Sequence, residues 1–135
     1  MDLTKTLHIS AAGMKVQGAR LKVIAENIAN AQSLSPTPGG DPYRRKVVSF
    51  QNVLDRSLGV ETVRVSNIDF DRTDFRKEYD AGHPAADEDG YVSYPNVNSL
   101  VEVMDMKEAE RSYQANLEII DVSRGMLTRT IDLLR

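Results

Sequence analysis

The chain contains no cysteine and no tryptophan. The first absence excludes disulfides, zinc-thiolate sites and thiol catalysis together. The second, with only three phenylalanines and five tyrosines in 135 residues, leaves a single domain with a modest core. Where a cleaved secretory signal would carry an apolar block, the chain places Asp2, Thr4, Lys5, Thr6 and His8, so no signal peptide is expected. Its apolar runs are a few residues long, far short of the roughly 20 needed to cross a bilayer, and no membrane insertion is expected. Charge of one sign is also lacking. A net charge of -3 gives no general attraction to nucleic acid or to an anionic membrane. What remains, 41% hydrophobic and 27% charged residues, is the composition of a chain that folds.

The dominant pattern is helical. Leu7, Met14, Leu21 and Ile28 stand seven apart, with Leu3, Ile24 and Ala31 as a flanking row, which predicts one amphipathic helix from Leu3 to Ala31. Ala11, Gly13, Gly18 and Ala25 lie between those rows. A helical glycine costs about 1 kcal/mol against alanine, so close approach of another helix is the natural compensation. Pro36, Pro38, Gly39, Gly40 and Pro42 end the segment. A second helix is introduced by Pro95-Asn96-Val97-Asn98 and by the capping-box spacing of Ser99 to Glu102, and it runs to the end of the chain. In it Met106, Tyr113, Ile120, Leu127 and Leu134 repeat every seven residues, reinforced by Val103, Leu117 and Ile131.

Between the helices, Tyr43 to Gln51 and Val60 to Asn67 read as short strands, with weaker strand signals at Phe75 to Tyr79 and Tyr91 to Tyr94 around the loop Asp80 to Gly90. The predicted fold is α+β: two long terminal helices packed as a coiled-coil-like stalk (1–33 and 96–135) and a small β-rich insert (34–95). Each helix would be about 45 to 55 Å long, more than the insert can cover. Two such helices can bury one stripe against each other, leaving the small-residue rows and a second apolar row for other copies or partner helices.

The chemical motifs are weak. Asp87-Glu88-Asp89-Gly90 fails the EF-hand register, because Gly90 as sixth residue puts Ala85 first and Asn96 twelfth; a solvated acidic turn is expected. Asp69, Asp71 and Asp74 stand among Arg72, Thr73 and Arg76 and read as a solvated mixed-charge surface rather than an acid-base pair. His8 and His83 have no metal-ligand partner at helical or hairpin spacing. Gly39-Gly40 lacks the lysine and helix start of a phosphate loop. Arg44-Arg45-Lys46 is too small a basic run for nucleic acid in an acidic chain and is expected to contact an adjacent subunit. No catalytic residue, metal, cofactor or small-molecule substrate is expected. Asn27 and Asn30, near a helix end, can satisfy stray backbone groups and tolerate left-handed geometry. Asn116, inside the second helix, either fixes register with a neighbour or bonds within its own chain.

Two stretches carry a resemblance. Ala25-Glu26-Asn27-Ile28-Ala29-Asn30-Ala31, followed by Pro38-Gly39-Gly40-Asp41-Pro42-Tyr43-Arg44-Arg45, and then Gly90-Tyr91-Val92, Pro95-Asn96-Val97-Asn98 and Arg111-Ser112-Tyr113-Gln114-Ala115-Asn116 resemble the flagellar axial proteins, specifically those of the proximal rod of the basal body. The likeness spans nearly the whole chain. It implies helical termini assembled around a channel, a β-rich middle facing outward, and export through the flagellum's own secretion apparatus without signal cleavage into a rod that crosses the periplasm. It also implies a structural subunit, not an enzyme, whose partners are copies of itself and other rod proteins in a helical tube that transmits torque. The expected assembly surface is Leu7, Met14, Gly18, Leu21, Ile28, Asn30, Tyr113, Asn116, Ile120, Leu127, Ile131 and Leu134. Uncovered apolar rows predict that these helices stay unfolded in the free monomer. Two rivals are a soluble coiled-coil adaptor or export chaperone, and a cell-wall hydrolase for which no catalytic pair can be named.

Overall fold

The computed structural model describes residues 2–134; Met1 and Arg135, the outer ends of the expected helical regions, lie outside the described residues. The element order is α1 (Leu3–Ala29), β1 (Lys46–Asp55), β2 (Val60–Phe70), β3 (Arg76–Tyr79), β4 (Tyr91–Tyr94) and α2 (Ser99–Leu133). The two long terminal helices and the small β insert of the predicted α+β fold are present.

The first helix starts where Asp2 Oδ1 accepts from the backbone N–H groups of Thr4 and Lys5, at 3.1 and 3.4 Å, satisfying two donors that have no partner in the first turn. It ends at Ala29, two residues before the expected Ala31. There the Asn30 side chain donates to the Glu26 carbonyl at 2.9 Å, and Ser33 Oγ donates back to Asn30 Oδ1. Asn30 thus closes the helix, but not by left-handed geometry, since no described residue other than glycine has positive φ. In α2 the expected capping box is replaced. Asn98 Oδ1 accepts from Leu100 and Val101 N–H. Glu102 turns inward instead of reaching back to the cap.

The strands form two separate two-stranded sheets, β1-β2 and β3-β4. The second is antiparallel, with Arg76 opposite Tyr94 and Tyr79 opposite Tyr91. The Tyr79 and Tyr91 rings meet edge to face at 5.4 Å. Gly90, at φ 83°, must be glycine, because a Cβ there would stand 2.8 Å from the Tyr79 ring. β1 begins at Lys46 rather than Tyr43 and reaches Asp55, beyond the expected Gln51.

The described chain divides into two compact units that share both helices. The stalk unit takes residues 2–21, 48–67 and 107–134; the junction unit takes 22–47 and 68–106. In the junction unit Val23, Ile24, Ala85 and Val92 form the core, with Asn27 and Glu102 almost completely buried among them. The core of the stalk unit is Ser10, Val16, Thr62, Ala109 and Ser123. Small and polar side chains predominate there. α1 runs antiparallel to α2: Gly13 lies against Asn116, and Arg20 pairs with Glu108 at 3.6 Å. No helix among the described residues is long and apolar enough to cross a membrane.

Candidate functional site: a polar junction and an open helical face

The junction is built around Asn27. Its side-chain amide imitates a strand, donating to the Lys46 carbonyl at 2.9 Å while its Oδ1 accepts the Lys46 N–H at 2.9 Å. Oδ1 also accepts from Tyr43 Oη at 2.9 Å, and the amide nitrogen lies 3.2 Å from Glu102 Oε2. The other Glu102 oxygen takes Arg45 Nε at 2.5 Å. Arg45 also reaches Asp71 Oδ2 at 3.3 Å and Asp105 at 4.0 Å, and its backbone N–H donates to Asn96 Oδ1 at 2.8 Å. Asn96 in turn donates to the Asp71 and Thr73 carbonyls. A buried carboxylate is tolerated only when paired and hydrogen-bonded, and here both Glu102 oxygens are engaged.

The electrostatics follow from this arrangement. Burial pushes the Tyr43 hydroxyl pKa up, and the negative charges of Glu26 and Glu102 push it further. Burial works against the Arg45 cation, but the hydrogen bond and charge of Glu102, with Asp71, outweigh it and raise the pKa. The Thr73 backbone N–H, assisted by the Thr73 hydroxyl and Arg45, holds the Asp71 carboxyl below its usual value. Asp71 is therefore not the freely solvated group expected from sequence. The basic run is also differently used. Arg44 donates to the Asp71 carbonyl at 2.9 Å and stacks 4.1 Å over Phe75, Arg45 is bound to Glu102, and Lys46 pairs with Glu26. All three are half-buried and have partners inside the chain.

The expected assembly residues lie elsewhere on the helices. Leu7, Met14, Leu21 and Ile28 are half-buried along α1, and Ile120 and Leu127 are half-buried on α2. Tyr113, Ile131 and Leu134 are exposed. A Cβ on Gly18 would meet nothing within 4 Å, so that position is open. Asn116 is half-buried; its amide donates to the Ser112 carbonyl at 2.9 Å and its side chain packs on Gly13, where a Cβ would approach it to 3.0 Å. The close helix approach expected of the glycines is thus internal at Gly13.

Sequence reasoning expected an apolar heptad at the seam and the small rows in water. The structure buries Glu102, Ala109 and Ser123 of α2, with Asn116 half-buried between them, each seven residues from the next. Small side chains bring the helices close, and the larger apolar residues are displaced to the flanks. Leu100, Met104, Val122, Met126 and Leu133 are exposed, from 50% for Met126 to 87% for Leu133. Beside the start of α1, Leu3, Ala115, Ile119, Val122 and Met126 line an apolar groove of about 480 Å³. Of the groups weighed for chemistry, Asp69 and Asp74 are exposed, and His83 Nδ1 accepts the Ala85 N–H. Among the described residues no cluster of His, Cys, Asp and Glu could hold a metal ion.

Comparison with known proteins converges on one family. Residues 88–133 match the family model described as Flagellar basal body rod FlgEFG protein C-terminal. The chain is 52% identical over 133 residues to the flagellar basal-body rod protein FlgC of Agrobacterium fabrum, covering 98% of this chain and 96% of that protein. It is 37% identical over 135 residues to FlgC of Salmonella typhimurium, covering 98% of each. With FlgC of Bacillus subtilis it shares 33% identity over 148 residues, covering 98% of this chain and 99% of that one. At these identities, sustained along nearly the full length of both partners, the chain belongs to the family of the flagellar basal-body rod protein FlgC.

Proposed function

We propose that this chain is a structural subunit of the flagellar rod that is held in place by its terminal helices, and that it is not an enzyme. One observation carries the reading. α2 uses its small and polar row for its own partner helix and leaves two apolar rows exposed, one through Val122, Met126 and Leu133 and the other through Tyr113, Leu117 and Ile131. Exposed apolar surface of this extent marks an interaction site. Head-to-tail contacts between such surfaces, on copies of this chain and on other rod proteins, generate an open helical tube where their rotation does not close a ring, and such a tube can transmit torque. Leu7, Met14, Gly18, Leu21, Ile28, Tyr113, Ile120, Leu127, Ile131 and Leu134 belong to these contacts; Asn30 and Asn116 support them by fixing the ends and spacing of the helices. The tube crosses the periplasm as part of the basal body, and the chain reaches it through the flagellar export apparatus without signal cleavage. An adaptor or chaperone with a single partner helix would need only one of the two apolar rows.

The test is deletion of residues 127–135. This removes Leu127, Ile131 and Leu134 and deletes no residue of the junction unit. The truncated protein should fail to enter basal bodies and support no motility, while Tyr43, Arg45 and Glu102 keep their folded environment by NMR. Normal motility with the truncated protein would overturn the reading.

A further inference from the structure

The stalk unit contains a cleft that the helical contacts above do not use. It measures about 560 Å³ and lies between α1 and the β1-β2 hairpin, with His8, Lys15 and Val16 on the helix side and Asp55, Arg64 and Val65 on the hairpin side. Its volume is in the range of clefts that take a compact group of side chains. Lys15 makes no ion pair among the described residues. The one carboxylate, Asp55, is already held by the Ser57 N–H at 3.0 Å and the Ser57 hydroxyl at 2.6 Å. The cleft therefore sets two basic side chains, Lys15 and Arg64, against one carboxylate; the Arg64 charge already acts on Asp55, Lys15 has no such partner, and the balance favours an incoming anion.

The junction unit offers a group of matching chemistry. Asp87 Oδ1 accepts from the Asp89 and Tyr91 N–H groups at 3.1 and 2.8 Å, and the Gly90 N–H closes on the Asp87 carbonyl at 3.0 Å. This fixes a tight turn in which Asp87 is used internally while Glu88 and Asp89 are exposed. Two carboxylates held on a pre-formed turn lose little freedom on docking.

We propose that Glu88 and Asp89 of one copy seat in the cleft of the next, against Lys15 and Arg64. This contact rests on the assembly reading above and adds to it a charged register between neighbours. The turn and the cleft are different surfaces of one chain, so the contact is head-to-tail, the kind that extends an open assembly when its rotation does not close a ring. Charge pairs of this kind select the neighbour and its orientation, while the apolar helix rows supply the affinity.

The absence of native cysteine makes a direct test possible. Cells co-expressing Lys15→Cys and Glu88→Cys forms of the full chain are oxidised, and basal bodies are isolated. A disulfide-linked dimer is expected only when both variants are present. Incorporation without that cross-link would overturn the contact but leave the assembly reading standing; failure of wild-type protein to enter basal bodies would overturn the assembly reading itself. As a second measurement, Lys15→Glu with Arg64→Glu should reduce incorporation about tenfold through like-charge opposition. A copy carrying Glu88→Lys and Asp89→Lys should restore it. Incorporation of the double-Glu variant at the wild-type level would also overturn the contact.

Discussion

Glu102, a charged residue near the start of α2, is 1% exposed, whereas Met126, an apolar residue of the same helix, is 50% exposed. The inversion is not local. At the centre of the junction unit polar groups are enclosed and mutually satisfied, in the chain from Tyr43 through Asn27 and Glu102 to Arg45 and Asp71, although Leu100 and Met104 on the same stretch of α2 are exposed. In the stalk unit apolar side chains stand in water on both flanks of a small-residue seam. The comparison shows how one pair of helices can be complete at one stretch and unfinished at another. Where the network closes, the buried polar groups already have their partners. Where the apolar rows remain open, a neighbour supplies the missing burial.

The largest expected effect is at the closed end. Glu102→Ala leaves the Arg45 cation half-buried without its main partner and frees one Asn27 contact, and should cost about 3 to 5 kcal/mol of unfolding free energy. Val122→Ser, at a position 62% exposed, should change stability by less than about 0.5 kcal/mol yet impair incorporation into the rod. Urea denaturation of the two variants checks this contrast. Equal losses would erase the distinction between the units.

Hydrogen exchange on the purified monomer sharpens the same contrast. Amides at Val23–Asn27 and in β4 should be protected, while those of α2 beyond Lys107 exchange quickly, a difference of at least about 100-fold if local opening of the stalk is a few kcal/mol easier. The hairpin β1-β2 falls on the fast side, because it packs on the stalk part of α1 through little more than Thr62, whereas β4 carries the fully buried Val92. Strong protection of the α2 end in a verified monomer would mean that its helices pair stably without neighbours.

A smaller effect, of opposite sign in the two states, is expected at Gly18. Leucine there gains about 0.8 to 1 kcal/mol of helix propensity, and the open space around the position accepts its Cβ. Helix content of the monomer should therefore rise or hold by circular dichroism. Incorporation into the rod should fall, because the added side chain keeps the next helix away. An assembled rod carrying leucine at this position would sink the close-contact reading of Gly18.

The helices and most of the strands were legible because periodicity and Pro/Gly punctuation are local properties. Which row of each helix faces its partner was not. Apolar heptads mark a face that wants burial, but only packing decides whether the partner is inside the chain, and at Gly13 and Asn116 the small row won that place. Glu102 was misread for a related reason. Its spacing from Ser99 fits a capping box, and nothing in that spacing shows Arg45 and Asn27 waiting on other segments. For the basic run at Arg44 to Lys46 the sequence could not show the intrachain acceptors, which are distant along the chain. The resemblance motifs located the junction, since Asn27, Tyr43, Arg45 and Asn96 all lie within them, although their mutual contacts could not be read from order alone.

The smallest effect tests how far the closed network contributes through charge. Asp71→Asn removes the ion pair with Arg45 but keeps an oxygen for the Thr73 N–H, which bonds to Asp71 Oδ1 at 2.9 Å. The expected loss at neutral pH is about 1 kcal/mol. Its pH dependence has a definite direction. The Asp71 carboxyl is held below its usual value of 3.8 in the folded chain, so the folded state favours the ionised form. That stabilisation is fully present above the unfolded pKa and disappears as pH falls through the lower folded one. Asparagine does not titrate, so the gap in unfolding free energy between wild type and variant should be constant from pH 7 to about 5 and should narrow below about 4. Denaturation midpoints taken across pH 2.5 to 7 in both proteins, about one half-unit apart, give the gap directly. A gap that stays level into acid would mean that Asp71 contributes shape and hydrogen bonding, and that Glu102 and Asp105 carry the charge balance of Arg45.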